Sequence, residues 1–231
     1  MECTVLSNKP LSENFYLMET DCSRDAQAGQ FYMLRAWGVY PVLSRPISVF
    51  DADAGKTSFL YRTVGQGTGM FARLKPGDAL GLVGPQGRGF PGVPGKTALV
   101  GGGAGIAPLY LAARRIKNAD VFLGFRDAPF LVQAYEAAAD RVVVNSGGFI
   151  TDDIDPTQYD AILACGPEIM MKTLYEKCKK TGAAAKVYVS LESRMACGVG
   201  ACFVCSRPVG GGNKKICKDG PVFPAEEVFG L

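Results

Sequence analysis

Short apolar runs broken by turn residues fill the first 95 residues of the chain. Runs of this length between clusters of Gly, Pro and Asp are typical of β-strands joined by tight turns. No amphipathic pattern long enough for a sizeable helix interrupts them. The pattern predicts an N-terminal antiparallel β-barrel or sandwich over residues 1–95, with strands at NFYLMET, GQFYMLRAW, SRPISVF, TSFLYRTV and ALGLVGP.

From Lys96 the pattern changes to apolar strands that alternate with helical segments. The predicted strands are TALVGG, DVFLGF, VVVN, DAILACG and KVYVSLE, and the predicted helices are APLYLAARRIKN, FLVQAYEAAADR and PEIMMKTLYEKCKKTG. Continuous Val, Ile, Leu and Ala between helices indicate a parallel sheet with right-handed crossovers. We therefore expect an α/β nucleotide-binding domain over residues 96–190. Residues 191–231, rich in Gly and Cys, are expected to form a third region that binds a cofactor.

Composition narrows the class of protein. A net charge of +3 without a basic run gives no reason to expect nucleic acid or an anionic membrane as a partner. The uncharged stretch Thr97–Ala113 contains glycines and a proline and is shorter than a membrane-spanning helix. The N-terminus lacks the pattern of a secretory signal, so we expect a cytoplasmic protein.

The chain contains no histidine, which removes the commonest general base and a frequent zinc ligand. Zinc-dependent hydrolysis and Ser-His-Asp catalysis are therefore not expected. Chemistry performed by bound cofactors needs no histidine.

Four of the eight cysteines are clustered near the C-terminus. Cys197-x4-Cys202-x2-Cys205, followed by Cys217, matches the opening spacing of plant-type [2Fe-2S] loops. Structural zinc sites usually pair two C-x2-C knuckles, and a set of reduced thiols without metal is the remaining alternative. The spacing favours the iron-sulfur cluster. The other four cysteines have no ligand-like spacing and are expected to be ordinary buried thiols: Cys3, Cys22, Cys165 and Cys178.

A glycine-rich turn, GGGAGIAP, follows the strand TALV and precedes a helix. Glycines at such a turn let the backbone approach a pyrophosphate, whose charge the helix N-terminus favours. Gly103, Gly105 and Pro108 are the candidate residues. Ile106 stands where a dinucleotide fingerprint has its third glycine, so a tight turn without a ligand is the alternative.

Two segments of the first domain combine cationic, hydroxyl and aromatic side chains that suit a flavin nucleotide. Arginine forms bidentate contacts with phosphate, a hydroxyl can bond to the flavin edge, and a tyrosine can stack on a ring. Taken alone, such residues are equally typical of a solvated strand face. The candidates are Arg45, Pro46, Ile47 and Ser48 in one segment, and Leu60, Tyr61, Arg62, Gly67 and Thr68 in the other.

Cys165, Gly166 and Pro167 lie where a predicted strand ends and a helix begins. Ligands of open α/β sheets bind outside the carboxyl ends of the strands. Cys165 is thus a candidate for the lining of a nicotinamide pocket, and a small buried residue at a tight corner is the alternative.

In their order along the chain, R-P-I-S, G-x-G-T, G-G-G-x-G-x-x-P and C-G-P resemble the ferredoxin-NADP reductase superfamily, in which a flavin-binding barrel precedes a nicotinamide-binding domain. The C-terminal stretch SLESRMACGVGACFVC, continuing to KKICKDGPVF, resembles the electron-transfer subunits of class B dihydroorotate dehydrogenases. The resemblance covers nearly the entire chain.

This resemblance implies FAD at the two barrel segments, a [2Fe-2S] cluster on the four clustered cysteines, and NAD as co-substrate. It also implies a separate FMN-containing catalytic subunit that oxidises dihydroorotate in pyrimidine synthesis, with two copies of each subunit. Electrons would pass through the cluster to FAD and then to NAD+ as hydride, a step that requires no side-chain acid or base.

Two rival functions remain open at this point. A homologous flavin and iron-sulfur subunit of an NAD-dependent ferredoxin-NADP reductase, a sulfide dehydrogenase or a hydrogenase would share all three regions. An iron-sulfur sensor without turnover would share the fold. The choice between NAD and NADP is also open, because Arg126 suits a 2'-phosphate and Asp127 a 2'-hydroxyl, although the resemblance favours NAD.

Overall fold

The computed structural model describes residues 1–22, 24–53 and 55–230. The N-terminal part is a closed antiparallel barrel of six strands in the order β1-β2-β5-β4-β3-β6, as the sequence predicted. These strands are β1 (Glu2–Pro10), β2 (Phe15–Thr20), β3 (Phe31–Arg35), β4 (Arg45–Asp53), β5 (Lys56–Arg62) and β6 (Ala79–Gln86).

The sequence-based prediction missed β1. Cys3 and Val5 are its only buried residues, so the strand has little apolar alternation to reveal it. Side chains from all six strands fill the barrel interior, and the short helix α1 (Gln66–Phe71) adds the fully buried Phe71. Because the inward side chains of β4 and β5 are held in this core, their other side chains point outward from the barrel.

A parallel sheet follows, in the order β9-β8-β7-β10-β11. All five predicted strands are present, and the α/β prediction is confirmed. The elements are β7 (Thr97–Gly102), α2 (Ala107–Arg115), β8 (Ala119–Phe125), α3 (Val132–Glu136), β9 (Arg141–Ser146), β10 (Ala161–Cys165), α4 (Glu168–Lys180) and β11 (Val187–Ser190).

Helix α3 is shorter than the sequence predicted. Tyr135 is its single buried residue, and a short helix in water depends on a packed apolar face to extend. None of the helices in the described ranges is long and apolar enough to cross a membrane.

The C-terminal region has more regular structure than a cofactor loop alone requires. It contains β12 (Ser206–Val209), β13 (Gly212–Lys215), α5 (Ile216–Asp219), β14 (Val222–Pro224) and α6 (Ala225–Phe229). Strand β14 pairs antiparallel with β11 and becomes the sixth strand of the sheet. The region is therefore joined to the α/β domain by backbone hydrogen bonds.

Helix α2 packs the sheet against the barrel. The ring of Tyr110 stacks on Phe50 of β4 with a centroid distance of 4.2 Å. Arg114 lies 2.5 Å from Asp51 and 2.8 Å from Asp53. These contacts set the width of the cleft between the two domains.

Candidate functional site

A cavity of about 390 Å³, here called the barrel cavity, opens between β4 and β5 on one side and the carboxyl ends of the sheet strands on the other. Phe31 and Val64 complete its barrel wall. Eight of the nine flavin candidates line it: Arg45, Pro46, Ile47, Ser48, Leu60, Tyr61, Arg62 and Thr68. The structure thus brings two distant segments of the sequence to one wall.

The ninth candidate, Gly67, lies behind the guanidinium of Arg45. A Cβ at Gly67 would stand 2.6 Å from the Arg45 Nε and 2.9 Å from the Trp37 ring. The guanidinium also lies over the Trp37 ring at 5.3 Å from its centroid and donates to the Leu43 carbonyl. A residue without a side chain is needed at position 67 so that Arg45 can hold this position.

The hydroxyls of Tyr61 and Thr68 already have partners within the barrel. Tyr61 donates to the Asn8 Oδ1 at 3.0 Å and its ring stacks on Tyr16. Burial raises the pKa of Tyr61. The Thr68 hydroxyl accepts from the Val64 N–H at 2.9 Å and from the N–H of the N-cap residue Gly65 at 3.2 Å, and so caps α1. Both residues shape the cavity wall, while the stacking of Tyr61 on a flavin ring stays a prediction.

The strand order of the parallel sheet reverses between β7 and β10, because β8 and β9 lie on one side of β7 and β10 and β11 on the other. Open α/β sheets bind ligands at such a reversal. The turns after β7 and β10 form a second cavity of about 300 Å³, here called the turn cavity. Gly103, Gly105, Gly166 and Pro167 line it, together with Arg62 from the barrel. The two glycine-containing motifs therefore meet in space.

A third cavity of about 500 Å³, here called the sheet cavity, lies over the ends of β7, β8 and β9. Gly103, Pro167 and Arg62 line it as well, so the cavities share residues and form a continuous cleft. Phe149 and Ile169 stand in it with 77% and 73% of their surface exposed. Apolar side chains so exposed inside a cleft are suited to cover a planar ring.

Cys165 and Pro108 occupy different positions relative to this cleft. Cys165 is buried and lines the barrel cavity, and burial raises the pKa of its thiol. Pro108 is buried in the first turn of α2, and within the described chain it lines none of the three cavities. Its contribution is the start of the helix.

Sequence reasoning named no site residue in the segment that connects β11 to the clustered cysteines. Ser190, Glu192 and Met195 all line the barrel cavity. The Glu192 side chain is exposed at the edge of this cavity. The run SLESRM belongs to the stretch that carries the family resemblance, but it has no chemical pattern of its own that would assign a role to these residues.

The four clustered cysteines are arranged as two pairs. The Cys197 Sγ accepts from the backbone N–H of Ala201 at 3.3 Å and from that of Cys202 at 3.4 Å. The Cys205 Sγ accepts from the Cys217 N–H at 3.4 Å. Cys205 and Cys217 are buried, whereas Cys202 is exposed. The scattered Cys3, Cys22, Cys165 and Cys178 are all buried, as predicted.

The two pairs differ in the state of their thiols. Backbone N–H groups that point at Cys197, that of Cys202 foremost, lower its pKa to about 6. Burial, together with the neighbouring Cys205, raises the pKa of Cys217 to about 12. Backbone donors around a sulfur stabilise the thiolate that a metal requires.

The arrangement of the four cysteines suits the metal group that their spacing predicts. Each iron of a [2Fe-2S] cluster takes two thiolates. Cys197 with Cys202 would supply one iron, and Cys205 with Cys217 the other.

Comparisons with known proteins agree with this geometry. Residues 192–229 match a family described as the iron-sulfur cluster binding domain of dihydroorotate dehydrogenase B. A dihydroorotate dehydrogenase B (NAD(+)) electron transfer subunit from Clostridium acetobutylicum is 40% identical over 97% of this chain and 95% of its own length. The subunit of the same name from Clostridium perfringens is 40% identical, with 97% and 96% covered.

Solved structures share the fold. A chain from the structure of an NADH-dependent reduced ferredoxin-NADP oxidoreductase superposes with a TM-score of 0.88 at 29% identity, covering 97% of this chain and 88% of that one. A ferredoxin reductase of carbazole 1,9a-dioxygenase superposes with a TM-score of 0.66 at 24% identity, covering 82% and 66%. The latter likeness concerns the fold alone.

Proposed function

The chain belongs to the family of dihydroorotate dehydrogenase B electron-transfer subunits, and from this premise we propose that it carries electrons from a dihydroorotate-oxidising partner to NAD+. A flavin exchanges one or two electrons, whereas an iron-sulfur cluster carries one and a nicotinamide takes up hydride, so the flavin belongs between the other two groups. The observation that supports this order is the position of the barrel cavity. It shares Arg62 and Ala104 with the turn cavity, and it is lined by Met195, which precedes Cys197 by two residues.

FAD is assigned to the barrel cavity. Arg45 supplies a positioned guanidinium for the pyrophosphate, Ser48 a hydroxyl, and Leu60 with Ile47 an apolar wall. Gly67 and Thr68 hold this wall in place from behind. Pro46, Tyr61 and Arg62 complete the set of residues proposed to contact the flavin nucleotide.

The [2Fe-2S] cluster is assigned to the two cysteine pairs, with Cys197 and Cys202 on one iron and Cys205 and Cys217 on the other. Met195 lines the barrel cavity and precedes Cys197 by two residues. The chain spans at most about 7 Å over that interval. The cluster ligands therefore lie close to the proposed flavin site.

The nicotinamide nucleotide is assigned to the turn and sheet cavities. Gly103, Gly105, Gly166 and Pro167 form backbone turns at the strand ends, where a pyrophosphate is favoured. Cys165 lies on the barrel-cavity side of these turns, next to the proposed flavin. Pro108 does not contact the nucleotide in this assignment, and its role is to start helix α2, which follows the glycine-rich turn.

The catalytic partner is proposed to be an FMN-containing subunit that docks over the cysteine loop, with two copies of each subunit in the complex. Val199, Phe203 and Val204 expose 50%, 63% and 55% of their surfaces around the exposed Cys202. Apolar side chains grouped beside a redox group suit a protein interface, because a partner that covers them shortens the electron path.

The proposal is tested on the protein with its native partner, purified anaerobically from its host. The complex should reduce NAD+ when dihydroorotate is added, and the flavin and [2Fe-2S] absorption of the isolated chain should bleach with NADH. Cofactors that stay oxidised in excess NADH would contradict the electron-transfer function and favour a sensor. A stable complex with another partner and no dihydroorotate turnover would move the chain to a ferredoxin-NADP reductase type of complex.

A further inference from the structure

The positive charge of the chain is concentrated around the clustered cysteines. The whole chain has a net charge of +3. Residues 193–219 contain five cationic side chains and one carboxylate, so this segment alone carries +4 and the remainder of the chain carries −1. The cations are Arg194, Arg207, Lys214, Lys215 and Lys218, and the carboxylate is Asp219.

Two of these lysines keep their positive charge unpaired. Over residues 1–22, 24–53 and 55–230, no Asp or Glu lies within ion-pair distance of the ammonium of Lys215 or Lys218. Asp219 instead accepts from the backbone N–H of Lys215 at 2.7 Å. Arg207, in contrast, forms an ion pair with Glu168 at 2.8 Å.

The ammonium of Lys215 is held beside the cysteine loop by an aromatic ring. Its Nζ lies 4.3 Å from the centroid of the Phe203 ring, and Phe203 directly follows Cys202. A cation-π contact positions an ammonium without cancelling its charge. A fixed positive charge therefore stands next to the segment that carries the exposed cysteine.

The methylene stem of Lys218 lies against Gly200. A Cβ at Gly200 would stand 2.7 Å from the Cδ of Lys218 and 3.0 Å from its Cβ. Gly200 lies between Cys197 and Cys202 in the sequence, and Lys218 directly follows Cys217. A lysine that packs its stem in this way keeps the ammonium at the nearby surface. Lys218 thus places a charge beside both segments that carry cysteines.

A positive charge beside these cysteines acts on the group that they would hold. Four thiolates and two sulfides outweigh the charge of two ferric ions, so an oxidised [2Fe-2S] group is already an anion. Reduction adds one electron, supplied by the partner, and no proton. A nearby cation stabilises the reduced form more than the oxidised form, because the reduced form has the larger negative charge. In bulk water a unit charge about 7 Å from another changes an equilibrium about threefold.

We propose that Lys215 and Lys218 are positioning residues that raise the reduction potential of the [2Fe-2S] cluster. The inference rests on the proposed function, since it requires the cluster on the four cysteines. A cluster of higher potential accepts an electron from the catalytic partner more readily. The two lysines act through their charge and not through contact with the iron.

The experiment is an anaerobic redox titration of the isolated holoprotein, with the cluster followed by electron paramagnetic resonance and FAD by visible absorption. Lys215→Gln and Lys218→Gln should each shift the one-electron equilibrium of the cluster about threefold, which lowers its potential by about 28 mV at about 59 mV per tenfold change. The double variant should give about tenfold, or about 59 mV, if the two charges act independently. The potential of FAD should change less than that of the cluster.

Charge-conserving and distant variants serve as controls. Lys215→Arg and Lys218→Arg keep the charge and should keep the wild-type potential. Lys180→Gln removes an exposed cation at the last residue of α4 and should leave the potential unchanged. Helix α4 begins at the carboxyl edge of the sheet, so its last residue lies about 20 Å from that edge.

An unchanged cluster potential in the double variant would overturn the inference, and so would arginine variants whose potential falls as far as that of the glutamine variants. Weaker association with the partner at an unchanged potential would assign the lysines to docking and would also overturn it. If Lys218→Gln loses the cluster, Lys218→Met replaces it, because methionine keeps an apolar stem against Gly200 without the charge. A wild-type protein that holds no [2Fe-2S] cluster after anaerobic purification would contradict the proposed function itself.

Discussion

Gly105 packs directly against the backbone of Cys165. A Cβ at Gly105 would overlap the carbonyl of Cys165 and the N–H of Gly166. The turns that follow β7 and β10 therefore touch through their main chains, at the point where the sheet changes its strand order. This contact brings the two predicted nucleotide-binding motifs into one cavity.

The first prediction concerns this contact. Gly105→Ala should lower the free energy of unfolding by about 2 kcal/mol, because the backbone that the new methyl group meets cannot rotate away. It should also weaken NADH-dependent dye reduction by separating the two turns. Urea unfolding and steady-state assays measure both effects.

Gly103→Ala is the matched control for that variant. Gly103 has a φ of +55° and no atom within 4 Å of its ideal Cβ. Alanine there should lower the free energy of unfolding by only about 1 kcal/mol, because the residue has to adopt the left-handed conformation. A Gly105→Ala variant that is no less stable than Gly103→Ala would contradict the close packing of the turns.

The second prediction concerns the cluster. Cys202→Ser replaces a soft thiolate by a poor iron ligand. The variant should lose the [2Fe-2S] absorption and electron transfer from the partner, while FAD and NADH-dependent dye reduction remain. Cys178→Ser changes a fully buried thiol on α4 and should retain the cluster. Loss of FAD from Cys202→Ser would mean that the cysteine loop is needed to fold the barrel cavity.

The third prediction concerns Arg45. Arg45→Gln should weaken FAD binding about tenfold or more, since a charge-assisted contact to phosphate is lost. The ratio of FAD to protein after gel filtration measures the effect. Arg73→Gln removes an exposed arginine of the same domain and should leave the ratio unchanged. Full FAD occupancy in Arg45→Gln would place the pyrophosphate elsewhere.

The fourth prediction concerns the ion pairs between α2 and β4. Arg114→Gln should lower the free energy of unfolding by about 1 kcal/mol at neutral pH, a modest value because these side chains are partly exposed. The Arg114 guanidinium holds the pKa of Asp53 below its usual 3.8. The stabilisation is therefore present above pH 4 and disappears as the pH falls through the lowered pKa.

Urea unfolding of wild type and Arg114→Gln between pH 3 and 7 checks this dependence. Lys117→Gln, just beyond the end of α2, is the control that removes an exposed cation without these partners. A stability difference that grows toward acid pH would contradict the assigned role of the ion pairs.

The sequence revealed elements that consist of alternating or continuous apolar runs, and it hid elements without such a run. Strands β7 and β10 are buried at every position and were predicted with nearly their observed bounds. Strands β1 and β14 were not predicted. β14 has three residues and gains its structure from pairing with β11, which no local pattern encodes.

The sequence by itself determined an antiparallel β-domain followed by an α/β domain, because alternation and continuous apolar runs are local consequences of burial. The closure of the first domain into a barrel was visible only in the structure. The sequence also predicted the cluster, because Cys197, Cys202 and Cys205 have the spacing of one ligand loop, whereas Cys217 reaches them only through the β12–β13 hairpin and α5. Only the tertiary structure decided that Arg62 and Glu192 line one cleft, that Gly105 meets Cys165, and that the four cysteines form two pairs. These contacts join residues far apart in the chain, and they depend on how the barrel packs against the sheet as a whole.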